Sequence, residues 1–187
     1  MAGTDVRLRT VPETSATGEL AALYDDIRSR FGLGFVPDVL QVLSGRPRFL
    51  RNLWETYQSL FDEGVLPRET KELIATFVAS DAGCQYCVAA HSLLAETVGA
   101  RPEVIAAAHA ASPADMPVEE KLRALMGLVA QIDSAAHRIV DDDIVHLRAL
   151  GWSDDELLEA IWTACVFNAI VRLVDTVGLF QLGQLLR

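Results

Sequence analysis

Basic residues are scarce in this chain of 187 residues: 16 Lys and Arg stand against 26 Asp and Glu, a formal charge of -10. They are scattered and form no patch, so a phosphate backbone is repelled and nucleic acid is not an expected partner. Long apolar runs are missing as well. Although 51% of the residues are hydrophobic, charged side chains interrupt every stretch before it reaches the ~18–20 apolar residues of a membrane span. The opening residues, Met1 to Arg7, are polar and contain no apolar leader core, so the chain reads as cytoplasmic and away from the membrane. Cysteine is rare: Cys84, Cys87 and Cys165 only. An odd, low number in a chain of that class argues against a structural disulfide framework. The strict alternation of a half-buried strand is also absent.

What is present is helical. Ala, Leu, Glu and Arg dominate, and apolar residues recur at three- and four-residue steps. The pattern predicts helices over Gly18–Arg30, Val39–Leu43, from Pro47 to a stop at Gly64, and from Pro67 to Ser80. It predicts others over Cys84–Gly99, Glu103–Ala111, Val118–Ser134, Asp141–Leu150 and, capped by Ser153, Asp154–Gly178. The stripe Leu50, Leu53, Trp54, Tyr57, Leu60 and Phe61 is expected to face a core, as are Leu73, Ile74, Phe77 and Val78. Glu96-Thr97-Val98-Gly99 is echoed by Asp175-Thr176-Val177-Gly178, so two degenerate helical repeats are one reading of the chain. No linker separates the halves. The expected organisation is an extension over 1–17 and a single all-α domain over 18–187.

The chemistry concentrates in Cys84-Gln85-Tyr86-Cys87 and His91, with Glu72 twelve residues before the first cysteine. Positions i, i+3 and i+7 share one side of a helix, so the two thiols and the imidazole form a line. At the start of a helix, unpaired N–H groups and the positive end of the dipole stabilise a thiolate. Across the Asp81-Ala82-Gly83 turn, Glu72 lies about as far from the bend as His91 does, in position to orient that imidazole. Together these groups can make a thiolate, oxidise it and close a disulfide.

Other readings attach to the same residues. Cys84, Cys87, His91 and Glu72 supply four zinc-type ligands, but no second C-x-x-C or H-x3-H cluster accompanies them, and no metal is expected. Val88 after Cys87 excludes a c-type haem motif. Cys165 sits in an apolar run and reads as a small buried hydrophobe. His109, His137 and His146 stand singly and read as surface residues. Asn168, Arg172 and Asp175 form a polar stripe that suits a cavity lining, a subunit contact or a structural ion pair. Asp141-Asp142-Asp143 suits a helix start.

The run Glu72-x11-Cys84-x-x-Cys87-x3-His91 resembles the AhpD-like alkylhydroperoxidase branch of the carboxymuconolactone decarboxylase superfamily. Phe35-Val36-Pro37 with Pro47, Leu66-Pro67-Arg68-Glu69, and Phe167-Asn168 to Arg172 resemble its peroxidase-related subgroup, so the likeness covers about residues 18 to 180. It implies an AhpD-like helical fold that assembles as a homo-oligomer, a trimer or hexamer, with a dimer as a further form. It also implies reduction of a small hydroperoxide, with catalytic Cys87, Cys84, His91 and Glu72. No bound cofactor is implied, only an external thiol reductant whose identity the likeness does not fix. Cys87, one turn from His91, would attack the peroxide and Cys84 would resolve the sulfenic acid. The reverse order, with the first cysteine attacking as in thioredoxin-type motifs, stays open. Tyr86 stands where the best-studied pattern has a second histidine, and a phenol is a poor base at neutral pH. Tyr86, Asn168 and Arg172 are expected to line the pocket. A redox sensor without turnover, a disulfide oxidoreductase and a decarboxylase-type enzyme are the alternative functions, the last having no need of the cysteine pair.

Overall fold

A computed structural model describes residues 6–32, 34–62 and 64–180. Residues 1–5 of the expected extension and 181–187 of the tail lie outside these. Among the described residues there is no strand, and the protein is all-α. The helices are α1 (Gly18–Phe31), α2 (Asp38–Gln41), α3 (Pro47–Phe61), α4 (Arg68–Asp81), α5 (Gln85–Thr97), α6 (Pro102–His109), α7 (Glu120–Ala135), α8 (Asp141–Ala149) and α9 (Asp154–Val177).

Local signals account for most of the boundaries. Pro47 and Pro102 occupy the first turns of α3 and α6, where a missing N–H is harmless. Ahead of α9, the Ser153 N–H donates to Glu156 Oε2 (2.8 Å) and the Glu156 N–H donates to Ser153 Oγ (3.2 Å), a reciprocal cap. In α8 the acidic run works as expected, Asp143 Oδ2 accepting from the Val140 N–H at 2.9 Å. The sequence echo marks two helix ends: Gly99 (φ 99°) follows α5 and Gly178 (φ 80°) follows α9, each in the left-handed region that glycine favours.

The chain divides into two compact units, residues 1–63 with 174–187, and residues 64–173. In the first, α3 packs with α1 and α2. Its buried side chains are Leu20, Leu23, Tyr24 and Ile27 from α1 and Leu50, Trp54, Tyr57 and Leu60 from α3. Leu53 and Phe61, expected on the buried stripe, are only half-buried.

In the second unit α4 is central, with α5, α6 and α7 packed on it. Every residue from Thr70 to Ala79 is buried. The sequence predicts a single inward face at Leu73, Ile74, Phe77 and Val78; neighbours on several sides bury the rest. Lys71, Glu72 and Thr76 are therefore interior, where polar groups are destabilising unless partnered. Lys71 Nζ pairs with Glu159 Oε1, and the other oxygen of Glu159 accepts from the Val65 and Leu66 N–H groups at 2.7 and 2.8 Å.

Helix α9 is 24 residues long and, by length and composition alone, apolar enough to cross a membrane. In this fold its Ala160, Ala164, Phe167 and Val171 are fully buried. Cys165, expected to be buried, is exposed instead. It falls on the outward stripe of α9 with Leu158 and Trp162, respectively seven and three residues away, which are 67% and 51% exposed.

Candidate active site

Two contacts fix the register of the α4–α5 hairpin. At the bend, Gly83 takes φ 75°, and the Cys84 N–H donates to the Ala79 carbonyl at 2.9 Å. Further out, His91 Nδ1 meets Glu72 Oε2 at 2.7 Å. Cys84 is the residue before α5, with extended backbone, and its carbonyl accepts the Val88 N–H. Cys87 lies in the first turn, among N–H groups that have no partner within their own helix. Both side chains are nearly inaccessible, Cys84 at 0% and Cys87 at 2% exposure.

Glu72 is fully buried and double-anchored. Its Oε1 accepts from Arg68 Nε at 2.6 Å and Nη2 at 2.5 Å, and its Oε2 faces His91. Burial by itself raises the Glu72 carboxyl pKa, but His91 and Arg68 together outweigh it and hold the group below the ordinary carboxylate range. An ionised carboxylate only accepts, so Nδ1 of His91 carries the hydrogen between them and Nε2 is left as the ring's basic nitrogen. The imidazole stands edge-on to Phe167, centroids 4.5 Å apart at 80°, which fixes its plane.

The structure thus brings Glu72 and His91 into contact and sets Cys84 and Cys87 on the same side of α5 as His91. Arg68 was not among the expected site residues; its signal is the four-residue spacing to Glu72 on one helix face. Phe167 has no such local signal as a ring partner, since only tertiary packing brings α9 to His91.

The expected pocket residues divide. Tyr86 is buried in α5, one residue and so about 100° off the thiol line. Arg172 Nη1 donates to the Asn168 carbonyl and to Asn168 Oδ1, both at 2.6 Å. Asn168 in turn bonds Asp133 of α7, which shares a hydrogen bond with Asp81, the last residue of α4. Burial and then Asp81 push the Asp133 carboxyl up to about 6, against the opposing pull of Asn168 and Arg172. The polar stripe of α9 therefore ties to a carboxylate pair beside the bend. Asp175 belongs to the other unit, where Arg7 Nη1 reaches the Asp175 and Thr176 carbonyls at 3.1 and 2.9 Å. His109, His137 and His146 are exposed, His109 meeting Ser92 Oγ. Among the described residues no three His, Cys, Asp or Glu side chains converge as metal ligands would.

Residues 47–127 match the sequence profile of the carboxymuconolactone decarboxylase family. An alkyl hydroperoxide reductase of Mycobacterium tuberculosis is 32% identical over 92 residues, 49% of this chain and 26% of that protein. An (R)-2-haloacid dehalogenase of a Rhizobium species is 40% identical over 53 residues, 28% of this chain and 21% of that protein. The matches thus span about a quarter of the length of these curated relatives. Among solved structures, the alkylhydroperoxidase AhpD core of an uncharacterized peroxidase-related protein from Ralstonia eutropha superposes with a TM-score of 0.80 at 27% identity. That superposition covers 95% of this chain and 93% of the other.

Proposed function

Starting from a chain that belongs to the carboxymuconolactone decarboxylase family and has the AhpD-like helical fold, we propose that it is a thiol-dependent hydroperoxide reductase. The observation that carries the reading is the buried Glu72–His91 contact of 2.7 Å, one helical turn from Cys87. The alkyl hydroperoxide reductase among its relatives supports the same direction.

In this reading the Cys87 proton passes to Nε2 of His91, and the positive charge on the ring is balanced by the Glu72 carboxylate. The thiolate attacks the terminal peroxide oxygen; the O–O bond breaks, the alkoxide takes the proton from His91, and Cys87 becomes a sulfenic acid. Cys84 then attacks that sulfur, forming the disulfide and releasing water. An external dithiol supplies two electrons and two protons to restore the pair. The substrate class is a small hydroperoxide, and the assembly a homo-oligomer.

A redox sensor that oxidises once without turnover is the second reading. One observation favours it: with exposures of 0% and 2%, neither sulfur is open to a protein reductant without movement of the hairpin.

The test is peroxide consumption with a dithiol reductant, on wild type, Cys84→Ser, Cys87→Ser and His91→Ala. The peroxidase reading expects turnover in wild type and loss of at least ~100-fold on removing His91. Turnover that survives loss of both cysteines sinks the thiol mechanism, and a single equivalent consumed identifies the sensor. Halide release from a 2-haloacid, with no peroxide consumed, would place the chain with its dehalogenase relative instead.

A further inference from the structure

Helical hydroxyls in this protein commonly donate to a carbonyl one turn back on their own helix. Thr56, Ser92, Ser134 and Thr163 each donate to the carbonyl four residues back, at 2.6 to 2.8 Å. Thr76 lies in the middle of α4, where the same bond to the Glu72 carbonyl is available, and does not make it. Its side-chain oxygen is buried, the residue has 0% exposure, and the oxygen makes no hydrogen bond among the described residues. An interior hydroxyl left in this state destabilises the fold relative to an apolar side chain of the same shape. Its presence calls for a use.

The hairpin register says where that use lies. The Cys84 N–H to Ala79 carbonyl bond and the His91–Glu72 contact bracket the two helices. Thr76 is four residues from Glu72 and three from Ala79; Cys87 is four residues from His91 and three from Cys84. Glu72, Thr76 and Ala79 form one stripe on α4, as Cys84, Cys87 and His91 do on and before α5. Between packed helices, positions matched in this way face each other. Thr76 is thus the residue of α4 set against Cys87, as Glu72 is set against His91.

We propose that the Thr76 hydroxyl is the hydrogen-bond donor reserved for Cys87 in its reactive forms, turning to the sulfur when it is a thiolate and to the sulfur-bound oxygen when it is a sulfenate. Turning the side chain about its Cα–Cβ bond moves the hydroxyl to such an acceptor, and a bond to an ionised acceptor is about twice as strong as a neutral one. A bond from Thr76 to its own helix would compete with that role. The assignment rests on the thiol chemistry proposed above, with Cys87 as the sulfur that is oxidised. In that chemistry His91 takes and returns the proton while Thr76 holds the charge left on sulfur.

The test separates this role from a packing role and from the peroxidase reading. Thr76→Val keeps the shape and removes the donor; Thr76→Ser keeps the donor; Thr76→Ala serves if the valine variant does not fold. The readout is the pH midpoint of iodoacetamide labelling at Cys87, followed on its peptide by mass spectrometry, which does not require peroxide turnover. The expected result is a midpoint raised by about one unit, a tenfold loss of thiolate at a fixed pH below it, in Thr76→Val. Thr76→Ser should retain the wild-type midpoint. The thermal midpoint of Thr76→Val should equal or exceed that of wild type, because an unsatisfied hydroxyl has gone. An unchanged labelling midpoint in folded Thr76→Val or Thr76→Ala overturns the proposal. If wild type consumes no peroxide yet the labelling midpoint shifts as stated, the peroxidase reading fails and the Thr76–Cys87 assignment stands.

Discussion

Glu72 meets His91 at 2.7 Å across the α4–α5 hairpin while its other oxygen is held by Arg68 one turn back on its own helix. A fully buried carboxylate thus has a cation on one side and an imidazole on the other. The arrangement couples stability to chemistry, because the groups that keep Glu72 ionised also orient the ring beside Cys87.

Glu72→Gln should therefore damage both. The amide keeps an acceptor oxygen for only one of Arg68 and His91 and turns its NH2 donor on the other, itself a donor at this contact, and the guanidinium loses its carboxylate. Breaking a buried pair in this way costs about 3–5 kcal/mol; Arg68 is about a third exposed and can turn to solvent, so about 2 kcal/mol is expected. Urea unfolding measures it. A variant as stable as wild type, with unchanged labelling of Cys87, would remove Glu72 from the site.

The acid limb of stability should move when Arg68 is removed. Glu72 is held below its usual value, so its contribution is present above the unfolded value near 4.5 and is lost as pH falls through the lower folded value. Arg68→Ala deletes one of the two groups that lower it. The loss should then begin at a higher pH, read as the thermal midpoint between pH 3 and 6. An identical acid limb in wild type and variant would show that His91 alone sets the ionisation.

Asp133 should act with the opposite sign. Its folded value, pushed up to about 6 from 3.8, means that the folded state binds the extra proton between those limits. Stability contributed by that proton is lost as pH rises from about 4 to about 6. Asp133→Asn keeps a hydrogen-bond donor for Asp81 at every pH and should flatten that slope. A slope that persists in Asp133→Asn would assign it to another group.

Cys165 gives a check on thiol assignment. It is exposed on α9, whereas Cys84 and Cys87 are buried. Native protein treated with a maleimide should label one thiol quickly and two slowly. Cys165→Ser should abolish the fast phase and leave peroxide consumption unchanged. A fast phase that survives would mean that the hairpin opens readily enough to present Cys84 or Cys87.

The all-helical class and the spacing that joins Glu72 to His91 were legible because both rest on short-range geometry: 3.6 residues per turn and one bend at Gly83. The parts that were not legible depend on neighbours distant in sequence. Periodicity gave α4 one apolar face, yet packing against α5, α6 and α7 buries Lys71 and Thr76 too, and no local pattern announces three neighbours. Cys165 misled for the converse reason. Its surroundings in sequence are apolar, but the outward stripe of α9 carries Leu158 and Trp162 as well, so composition did not separate the two sides. Arg68 stood within a quoted motif and still was not assigned, since its spacing to Glu72 is shared by countless surface ion pairs worth little; the full burial of Glu72 gives that contact its weight.

Gly64 marks the last of these long-range dependencies. It adopts φ 130°, and a Cβ built there would stand 1.7 Å from Glu159 Oε1 and 2.8 Å from Lys71 Nζ. Those atoms are not free to move aside: Lys71 is 3% exposed and paired with Glu159, which also holds the Val65 and Leu66 N–H groups. Gly64→Ala must therefore strain the backbone and displace a buried ion pair at the start of α4, the helix that carries Arg68, Glu72 and Thr76. A loss of about 2–4 kcal/mol is expected from the two effects together. Chemical unfolding measures it, with Gly34→Ala as the control, since that glycine also has positive φ (73°) but nothing within 4 Å of its Cβ position. Equal losses in the two variants would reduce the effect to backbone strain and leave the Lys71–Glu159 pair without a part in it.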